Sequence, residues 1–321
     1  MFTLLVLMMI GIQQDHNASE PGLFVNALTL LHDYGRKDCC LPGNDRALKA
    51  DLAKALANDR QLAFDELDDW IEKATFSRIA GEDNLISEAD ISVACTKNQQ
   101  LLRQSLLPKL KQHAELLTTS FDMIESTHYQ SIERLADWIA ENERNKRESH
   151  VIATCTGNSR RSILCASMGN LAATYYGLDK VRFYSGGTKP SAFNKRTIAT
   201  LTEIGFQIES TGQEAPRGEP KTANPIYRIA WGNELQASEY SKTYFDTNNP
   251  QMGFAAIMAC SEADAECPMI PGASLRLSMT FIDPKVYDDG AFEQAKYAEK
   301  RDDIGRTLMA AVALARVKTS R

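Results

Sequence analysis

The sequence predicts an α/β protein, in which an all-α N-terminal region precedes an open, parallel, four-stranded sheet in a three-layer arrangement. Two patterns lead to this prediction. From Leu23 to Lys146, apolar residues recur at helical spacing with almost no β-branched runs. After Glu148, short strand-like stretches alternate with longer helical ones. Because strands that are connected through helices usually run parallel, this alternation favours a sheet with helices on both faces.

The chain begins with an apolar run, Phe2 to Ile12, that is too short to cross a bilayer but long enough for the core of a signal peptide. No Lys or Arg precedes this run. Two interpretations therefore stay open for residues 1–18: a secretory signal that exports the protein, or an over-long start to a cytoplasmic chain. No other stretch approaches the roughly eighteen apolar residues of a spanning helix, so we expect no stable membrane span.

Residues 19–100 are predicted to be helical, and no motif in them indicates a role. Residues 101–149 predict two further helices, broken near Ser126 to His128, that lead into the next domain. Each helix carries an apolar stripe that needs a partner surface, and we expect the stripes to pack on that domain. The stripes contain Leu106, Leu110, Leu117, Phe121 and Ile124, and then Ile132, Leu135, Trp138 and Ile139.

The C-terminal domain, residues 150–321, contains the alternating pattern. The predicted strands are His150 to Thr154, Val181 to Tyr184, Gly253 to Ala259 and Leu275 to Ile282. The predicted helices are Ser162 to Gly177, Ala192 to Gly205 and Ala291 to Val317. Residues 207–252 interrupt the alternation with Pro, Gly and Asn, and within them Tyr227 to Trp231 and Glu234 to Tyr244 could form a hairpin. We expect this insertion to be a lid or a partner surface.

Composition and charge exclude several classes of function. With 43% hydrophobic and 24% charged residues, the chain is an ordinary globular one and not a disordered or collagen-like one. With a net charge of -6, the chain shows no sign of the basic surface that binds duplex nucleic acid. The acidic excess lies in the first half of the chain, so the more basic second half is the better place to expect a small anionic substrate.

The seven cysteines are too few for a disulfide scaffold, and their odd number leaves at least one thiol free. No second Cys or His pair stands at zinc spacing from the vicinal Cys39 and Cys40, so we expect no metal site there. Cys165 lies among apolar residues of a predicted helix and is expected to pack in the core. The other cysteines are better candidates for chemistry.

The strongest chemical signal lies where the first predicted strand of this domain passes into its first helix. There the sequence reads Cys155-Thr156-Gly157-Asn158-Ser159-Arg160-Arg161-Ser162. A loop that leads into a helix N-terminus directs unpaired N–H groups at one spot, where a tetrahedral oxyanion can bind. The same field favours the thiolate of Cys155, and Arg161 could hold two anion oxygens with its planar fork. A small buried cysteine at a strand end is the alternative interpretation.

This segment resembles the anion loop of the low-molecular-weight protein tyrosine phosphatases and of their relatives, the thioredoxin-coupled arsenate reductases. The resemblance runs over most of residues 150–315 and includes Tyr184-Ser185-Gly186-Gly187-Thr188. It implies the fold of that family, no bound cofactor, and Cys155 as the nucleophile. In the family a late Asp-Pro supplies the general acid, which implies that role for Asp283. The residues implied to surround the substrate are Thr156, Gly157, Asn158, Ser159, Arg160 and Ser162.

A second pair of cysteines resembles the redox pair of the arsenate reductases. Cys260 and Cys267 are separated by six residues and followed by Pro268. By analogy, Cys155 would attack arsenate, Cys260 would attack the sulfur of Cys155 to release arsenite, and Cys267 would take over the disulfide for thioredoxin to reduce. Seven residues of helix advance about 10.5 Å, whereas bridged cysteines need Cα atoms within roughly 7 Å. The segment is therefore expected to be looped, or to unwind on oxidation.

Two other functions remain open at this point. Hydrolysis of a phosphomonoester, such as phosphotyrosine in a protein, would need only Cys155, Arg161 and Asp283. A binding module that captures phosphorylated partners would need no nucleophile at all. Three features depart from the family. Arg160 stands at a loop position where the family usually has a second cysteine, and the insertion lengthens the chain between Cys155 and Cys260. Lys285 and Val286 replace the two tyrosines that follow Asp-Pro in many animal phosphatases.

Overall fold

The computed structural model describes residues 102–216, 223–267 and 269–319. The predictions for the signal-like segment 1–18, the helical region 19–100, and Cys39 and Cys40 lie outside the described residues. Within the described ranges, no helix is both long enough and apolar enough to span a bilayer.

The described chain alternates strands and helices from residue 149 onward, after two helices that precede the first strand. The strands are β1 (Ser149–Cys155), β2 (Val181–Gly187), β3 (Gln207–Glu214), β4 (Pro225–Gly232), β5 (Leu235–Glu239), β6 (Phe254–Met258) and β7 (Ala273–Ser278). The α-helices are α1 (Pro108–Thr118), α2 (Tyr129–Arg144), α3 (Arg161–Tyr175), α4 (Lys195–Glu203), α5 (Ser261–Glu266) and α6 (Glu293–Thr319). Short 3-10 turns lie at Phe121–Met123, Ser126–His128 and Pro284–Tyr287.

A four-stranded sheet, parallel throughout, forms the centre of the described chain. Its strand order is β2-β1-β6-β7. The middle strands β1 and β6 are buried along nearly their whole length, as parallel strands covered on both faces must be, and every residue of β6 is apolar. The prediction of an α/β protein with a four-stranded parallel sheet is therefore confirmed.

The two faces of the sheet carry different layers. On one face, the buried side chains of α1, α2, α3 and α6 join those of the strands in the larger core. α3 is buried on every side, because α6 covers it opposite the sheet. On the other face, a smaller core gathers Ile152 of β1 with residues of β6 and of α5. The apolar stripes of α1 and α2 thus have their partner surface in the larger core.

The insertion between α4 and β6 forms a second, antiparallel sheet in the order β3-β4-β5. β4 and β5 form the predicted hairpin, and Glu234 turns with a φ of +59°. The sequence did not predict β3, because its side chains are polar and mostly exposed and show no apolar alternation. The predicted second strand of the hairpin is too long: β5 ends at Glu239, and residues 240–244 continue to the end of β2, where Thr243 bridges Gly187.

The contact between α3 and β2 generates a first prediction. A Cβ atom added at Gly169 would lie 2.3 Å from Cγ of the buried Phe183 ring. A Cβ atom added at Gly305 in α6 would instead contact the ends of the Met168 and Leu117 side chains. We expect Gly169→Ala to lower the free energy of unfolding by about 1–3 kcal/mol through overpacking. Gly305→Ala should cost less, because flexible side-chain ends can move. Urea denaturation of both variants tests this, and a Gly169→Ala protein as stable as wild type would contradict it.

Candidate functional site

The predicted anion loop connects the end of β1 to the start of α3. Cys155 is the last residue of β1, and only 3% of its surface is exposed. Within the described chain, the backbone N–H groups of Thr156 to Arg160 donate no hydrogen bond. These amides stand just before a fifteen-residue helix, whose N-terminal dipole favours negative charge. The loop therefore has free donors and a favourable field for an oxyanion beside the Cys155 sulfur.

Asn158 gives the loop its shape. Its backbone adopts a φ of +41°, in the left-handed region that asparagine tolerates better than most residues. The side chain is fully buried, and its Nδ2 donates to Ser162 Oγ at 2.9 Å and to Ser185 Oγ at 2.8 Å. Its Oδ1 accepts from the backbone N–H of Lys242 at 2.8 Å. The amide thus ties the loop to α3, to β2 and to the insertion.

Neighbouring segments pack closely around the loop. The carbonyl of Gly157 accepts from the hydroxyl of Ser241 at 2.9 Å and from the backbone of Ser191 at 3.0 Å. A Cβ at Gly187 would lie 2.7 Å from the carbonyl oxygen of Thr156, so only glycine fits at this position of β2. Ser159 donates to the carbonyl of Ala192. These contacts hold the loop backbone from its outer side.

Ser162 lies in the first turn of α3, close to Cys155, the predicted nucleophile. Its Oγ is 3.1 Å from Cys155 Sγ, and its side chain is fully buried. Because this hydroxyl already accepts from Asn158, its own proton is free to point at the sulfur. A hydroxyl that donates to sulfur stabilises the thiolate over the thiol.

Arg161 is the first residue of α3, and its side chain is 9% exposed. One terminal nitrogen donates to the carboxylate of Asp283 at 2.9 Å, and the other donates to the carbonyl of Phe281 at 3.2 Å and lies 3.7 Å from Glu262. Its Nε is buried and has no hydrogen-bond partner among the described residues. Since an unsatisfied buried donor is costly, this N–H is a ready contact for an anion oxygen.

Asp283 stands at the start of the 3-10 turn Pro284–Tyr287, after the chain leaves β7. One carboxylate oxygen accepts from Arg161, and the other caps the turn by accepting from the backbone of Lys285 at 3.0 Å. The predicted acid is therefore held beside the arginine of the loop with part of its carboxylate exposed. The predicted strand Leu275 to Ile282 is too long at its end, because the last residues before Asp283 leave the sheet.

Cys260 lies two residues after the end of β6 and packs against the anion loop. Its Sγ is 3.6 Å from the hydroxyl of Thr156 and accepts from the backbone N–H of Ala263 at 3.4 Å, so it caps the short helix α5. Burial raises the pKa of the Cys260 thiol, although the hydrogen bonds from Ala263 and Thr156 act in the opposite direction. The structure thus places a second thiol next to the loop that contains Cys155.

Cys267 lies at the other end of α5 and is partly exposed. Cys155, Cys165, Cys260 and Cys267 are all free thiols. The segment between Cys260 and Cys267 is predicted either to be looped or to unwind on oxidation. Residues 261–266 form a helix, so the looped alternative is wrong for these residues and unwinding stays a prediction. Cys165 is fully buried in α3, and burial raises its pKa far above the usual range, as expected for a core thiol.

Arg160 does not extend into solvent. Its guanidinium donates to the hydroxyl of Tyr297 at 2.6 Å and to Asp288 at 2.7 Å, and both partners belong to the chain that follows Asp283. Arg160 therefore links the loop to the segment that carries the candidate acid.

The sequence reasoning missed the contribution of the insertion to this site. Ser241 and Lys242 contact the loop backbone and Asn158, and Glu239 accepts from Ser185. In the sequence, this stretch has the polar composition of a solvent-facing strand end, and no periodic signal marks it as buried. Ser185 lies within the part of β2 that the family resemblance already included.

Comparison with known proteins gives a consistent result. No family model matches the chain. The chain is similar to arsenate reductases. Over 142 aligned residues it is 24% identical to arsenate reductase 1 of Staphylococcus epidermidis. The aligned stretch covers 44% of this chain and 83% of that protein. The chain is also 24% identical over 130 residues to arsenate reductase 2 of the same species, or 40% of this chain and 74% of that protein. This distant similarity supports the resemblance drawn from the anion loop.

The buried arginine generates a second prediction. Arg161→Lys keeps the positive charge but loses the planar fork and the unsatisfied Nε–H, so inorganic phosphate should bind at least about tenfold more weakly. Protection of Cys155 from iodoacetamide by phosphate measures this affinity. Arg301→Lys is the matched control, because Arg301 is also buried and pairs with Glu203 and Asp302 outside the loop. Equal protection in both variants would contradict the role of Arg161 in anion binding.

Proposed function

We propose that this chain is a thiol-based arsenate reductase that uses Cys155, Cys260 and Cys267 in a relay. The observation that carries the proposal is the position of Cys260, whose sulfur lies 3.6 Å from the Thr156 hydroxyl of the anion loop. A phosphatase has no need for a second thiol there, whereas a reductase requires one. The distant similarity to arsenate reductases supports the same activity.

The first step is attack of the Cys155 thiolate on arsenic. The free amides of the loop and the Nε–H of Arg161 bind the arsenate oxygens, and Ser162 donates to the sulfur. A sulfur–arsenic bond forms while an arsenic–oxygen bond breaks. Asp283, in its protonated form, gives its proton to the departing hydroxide, which leaves as water.

In the second step, the Cys260 thiolate attacks the sulfur of Cys155. A Cys155–Cys260 disulfide forms, the sulfur–arsenic bond breaks, and its electron pair moves to arsenic. Arsenic(V) is thereby reduced to arsenic(III), which leaves as arsenite. Because burial raises the pKa of Cys260, the hydrogen bonds from Thr156 and from Ala263 are needed to stabilise its thiolate.

The third step transfers the disulfide to the protein surface. Cys267 attacks Cys260 and releases the Cys155 thiolate for another cycle. A helix of six residues separates the two cysteines, so α5 has to unwind before their Cα atoms come within bonding range. The Cys260–Cys267 disulfide would then be reduced by an external dithiol protein such as thioredoxin, and no bound cofactor is needed.

Hydrolysis of phosphomonoesters is the second candidate function. It would use Cys155, Arg161 and Asp283 through a cysteinyl-phosphate, which water would hydrolyse with Asp283 as base. One observation favours it. The exposed apolar side chains of Ile282 and Val286 flank Asp283, where they could contact the ring of an aryl phosphate.

A paired assay separates the two functions. We expect Cys260→Ser and Cys267→Ser to abolish thioredoxin-dependent arsenate turnover, because each removes a thiol that the relay needs, and to leave hydrolysis of an aryl phosphate within about twofold of wild type. Cys165→Ser is the control variant, because Cys165 is a thiol in the core that the relay does not use. Cys155→Ser should abolish both activities. If Cys260→Ser and Cys267→Ser leave arsenate turnover intact, the proposed relay is wrong, and the result favours the phosphatase function for this site.

The raised pKa of Cys260 gives a prediction about pH. Its thiol should be mostly protonated at neutral pH, so arsenate reduction should become faster as pH rises toward that pKa. Thr156→Val removes a hydrogen bond that lowers this pKa. In this variant the increase in the rate of arsenate reduction should therefore occur at still higher pH. The pH dependence of iodoacetamide labelling at Cys260, read by peptide mass spectrometry, measures the pKa directly. A midpoint at or below that of an ordinary cysteine would contradict the prediction.

A further inference from the structure

An arginine on β7 holds the end of α5 that leads to Cys267. Arg276 Nε donates to the backbone carbonyl of Cys267 at 3.0 Å. Its terminal Nη2 donates to the backbone carbonyl of Asp264 at 2.7 Å and to the carboxylate of the same residue at 2.6 Å. Two of these three hydrogen bonds end on backbone oxygens, so they depend on the path of the main chain and not only on the aspartate side chain.

The sequence explains why this helix needs a donor from outside. In a continuous α-helix, the carbonyl of Asp264 would accept from the backbone N–H four residues later. That residue is Pro268, which has no backbone N–H. The last carbonyls of a helix then require a side chain or water as their partner. The guanidinium of Arg276 is this partner for Asp264 and for Cys267.

α5 buries little apolar surface of its own. Among the helix residues whose burial the structure describes, only Ala263 is buried. A helix of six residues is marginal in water, so its stability has to come from tertiary contacts. Besides Arg276, Ser278 of β7 donates to the second carboxylate oxygen of Asp264 at 2.8 Å. The C-terminal half of α5 therefore depends on polar contacts with β7.

The two ends of α5 differ in their freedom to move. Cys260 is fully buried beside Thr156, whereas Cys267 is partly exposed. Arg276 belongs to the sheet, where β7 pairs it with Ala256 of β6. A helical rise of about 10.5 Å between the two cysteines has to shrink to within roughly 7 Å for a disulfide. Because the Cys260 end is buried, the Cys267 end has to move, and its hydrogen bonds to Arg276 have to break.

We propose that Arg276 is a positioning residue of the relay. It holds Cys267 away from Cys260 while both are thiols, and it is released when α5 unwinds to form their disulfide. Its three hydrogen bonds, here called the latch, stabilise the reduced, helical form. The latch therefore opposes a premature Cys260–Cys267 disulfide, which would leave no thiol to attack Cys155. The inference rests on the proposed function, because it takes Cys260 and Cys267 as a redox pair.

The latch predicts the direction of a change in the redox equilibrium. Reduction of the disulfide takes up two electrons and two protons and yields two thiols. A contact that exists only in the dithiol form favours that form, so it raises the reduction potential of the disulfide. Loss of the contact should lower the potential. A substitution that destabilises both forms equally would leave the potential unchanged.

The test measures the equilibrium between the Cys260–Cys267 dithiol and its disulfide in buffers of oxidised and reduced dithiothreitol. Peptide mass spectrometry gives the disulfide fraction, and Cys155→Ser in every variant prevents the competing disulfide with Cys155. We expect Arg276→Met to favour the disulfide about tenfold, which corresponds to a potential about 30 mV more negative. Asp264→Asn keeps both backbone oxygens as acceptors, so it should change the equilibrium by less than about threefold.

The matched control is Arg182→Met, which removes a partly exposed arginine from β2. β2 lies at the opposite edge of the same sheet from β7, and the Arg182 side chain donates to the carbonyl of Val181. This variant should leave the equilibrium unchanged. An equilibrium in Arg276→Met that is unchanged or favours the dithiol, or an equal shift in the control, would overturn the proposal.

A second variant covers the case in which Arg276→Met does not fold. Arg276→Lys keeps a charge for Asp264, but one ammonium group cannot replace the planar fork that reaches both carbonyls. The disulfide should then still be favoured by at least about threefold. An equilibrium equal to that of the protein with Arg276 would overturn the proposal.

Hydrogen exchange of the reduced protein gives an independent readout. Within α5, the backbone N–H groups of Asp264 and Cys267 donate to the carbonyls of Cys260 and Ala263. In Arg276→Met these two amides should exchange faster, because the helix opens more often, while the amides of β6 keep their rate. Equal exchange of the α5 amides with and without Arg276 would contradict the latch.

These measurements keep the proposal separate from the proposed function, because neither uses arsenate. A wild-type protein that reduces no arsenate, in a chain where Arg276→Met shows the expected shift, refutes the reductase function and supports the latch. A protein that reduces arsenate but shows no shift in Arg276→Met supports the function and refutes the latch. A Cys260–Cys267 disulfide that forms at no dithiothreitol ratio refutes both.

Discussion

The left-handed backbone of Asn158 is the constraint on which the rest of the site depends. The turn at this residue separates Cys155 on one strand end from Arg161 and Ser162 on the next helix. A residue with φ near +41° needs local support, and the buried amide of Asn158 obtains it from α3, β2 and the insertion. This turn accompanies the free loop amides and brings Ser162 Oγ within 3.1 Å of Cys155 Sγ.

The placement of the other functional groups follows from the parallel sheet. β1 and β6 are neighbours, so the residues that follow their C-terminal ends meet at one edge. This brings Thr156 and Cys260 into contact, although they are 104 residues apart in the chain. The chain after β7 then returns Asp283 to Arg161. The topology thus assembles Cys155, Cys260 and Asp283 at the same end of the sheet.

Much of the fold was predictable because its elements have strong periodic patterns of apolar residues. The features that the sequence did not predict share one physical cause. The buried strands β1 and β6 and the apolar helix α3 show clear signals, and the anion loop is marked by its position between two of them. β3 is polar and exposed, and Glu239 and Lys242 are charged residues that pair with each other and whose burial comes only from tertiary contact. A single sequence shows the type of a residue but not the partner that neutralises it, so an ion pair beneath the loop could not be predicted.

The most direct test of the account is a single turnover with arsenate in the absence of any external reductant. Two electrons must then come from the thiols of the chain itself. The account predicts about one arsenite per protein molecule, together with a disulfide between Cys260 and Cys267 and a free thiol at Cys155, as mapped by peptide mass spectrometry. Arsenite formed while Cys260 remains a free thiol, or no arsenite at all, would contradict it.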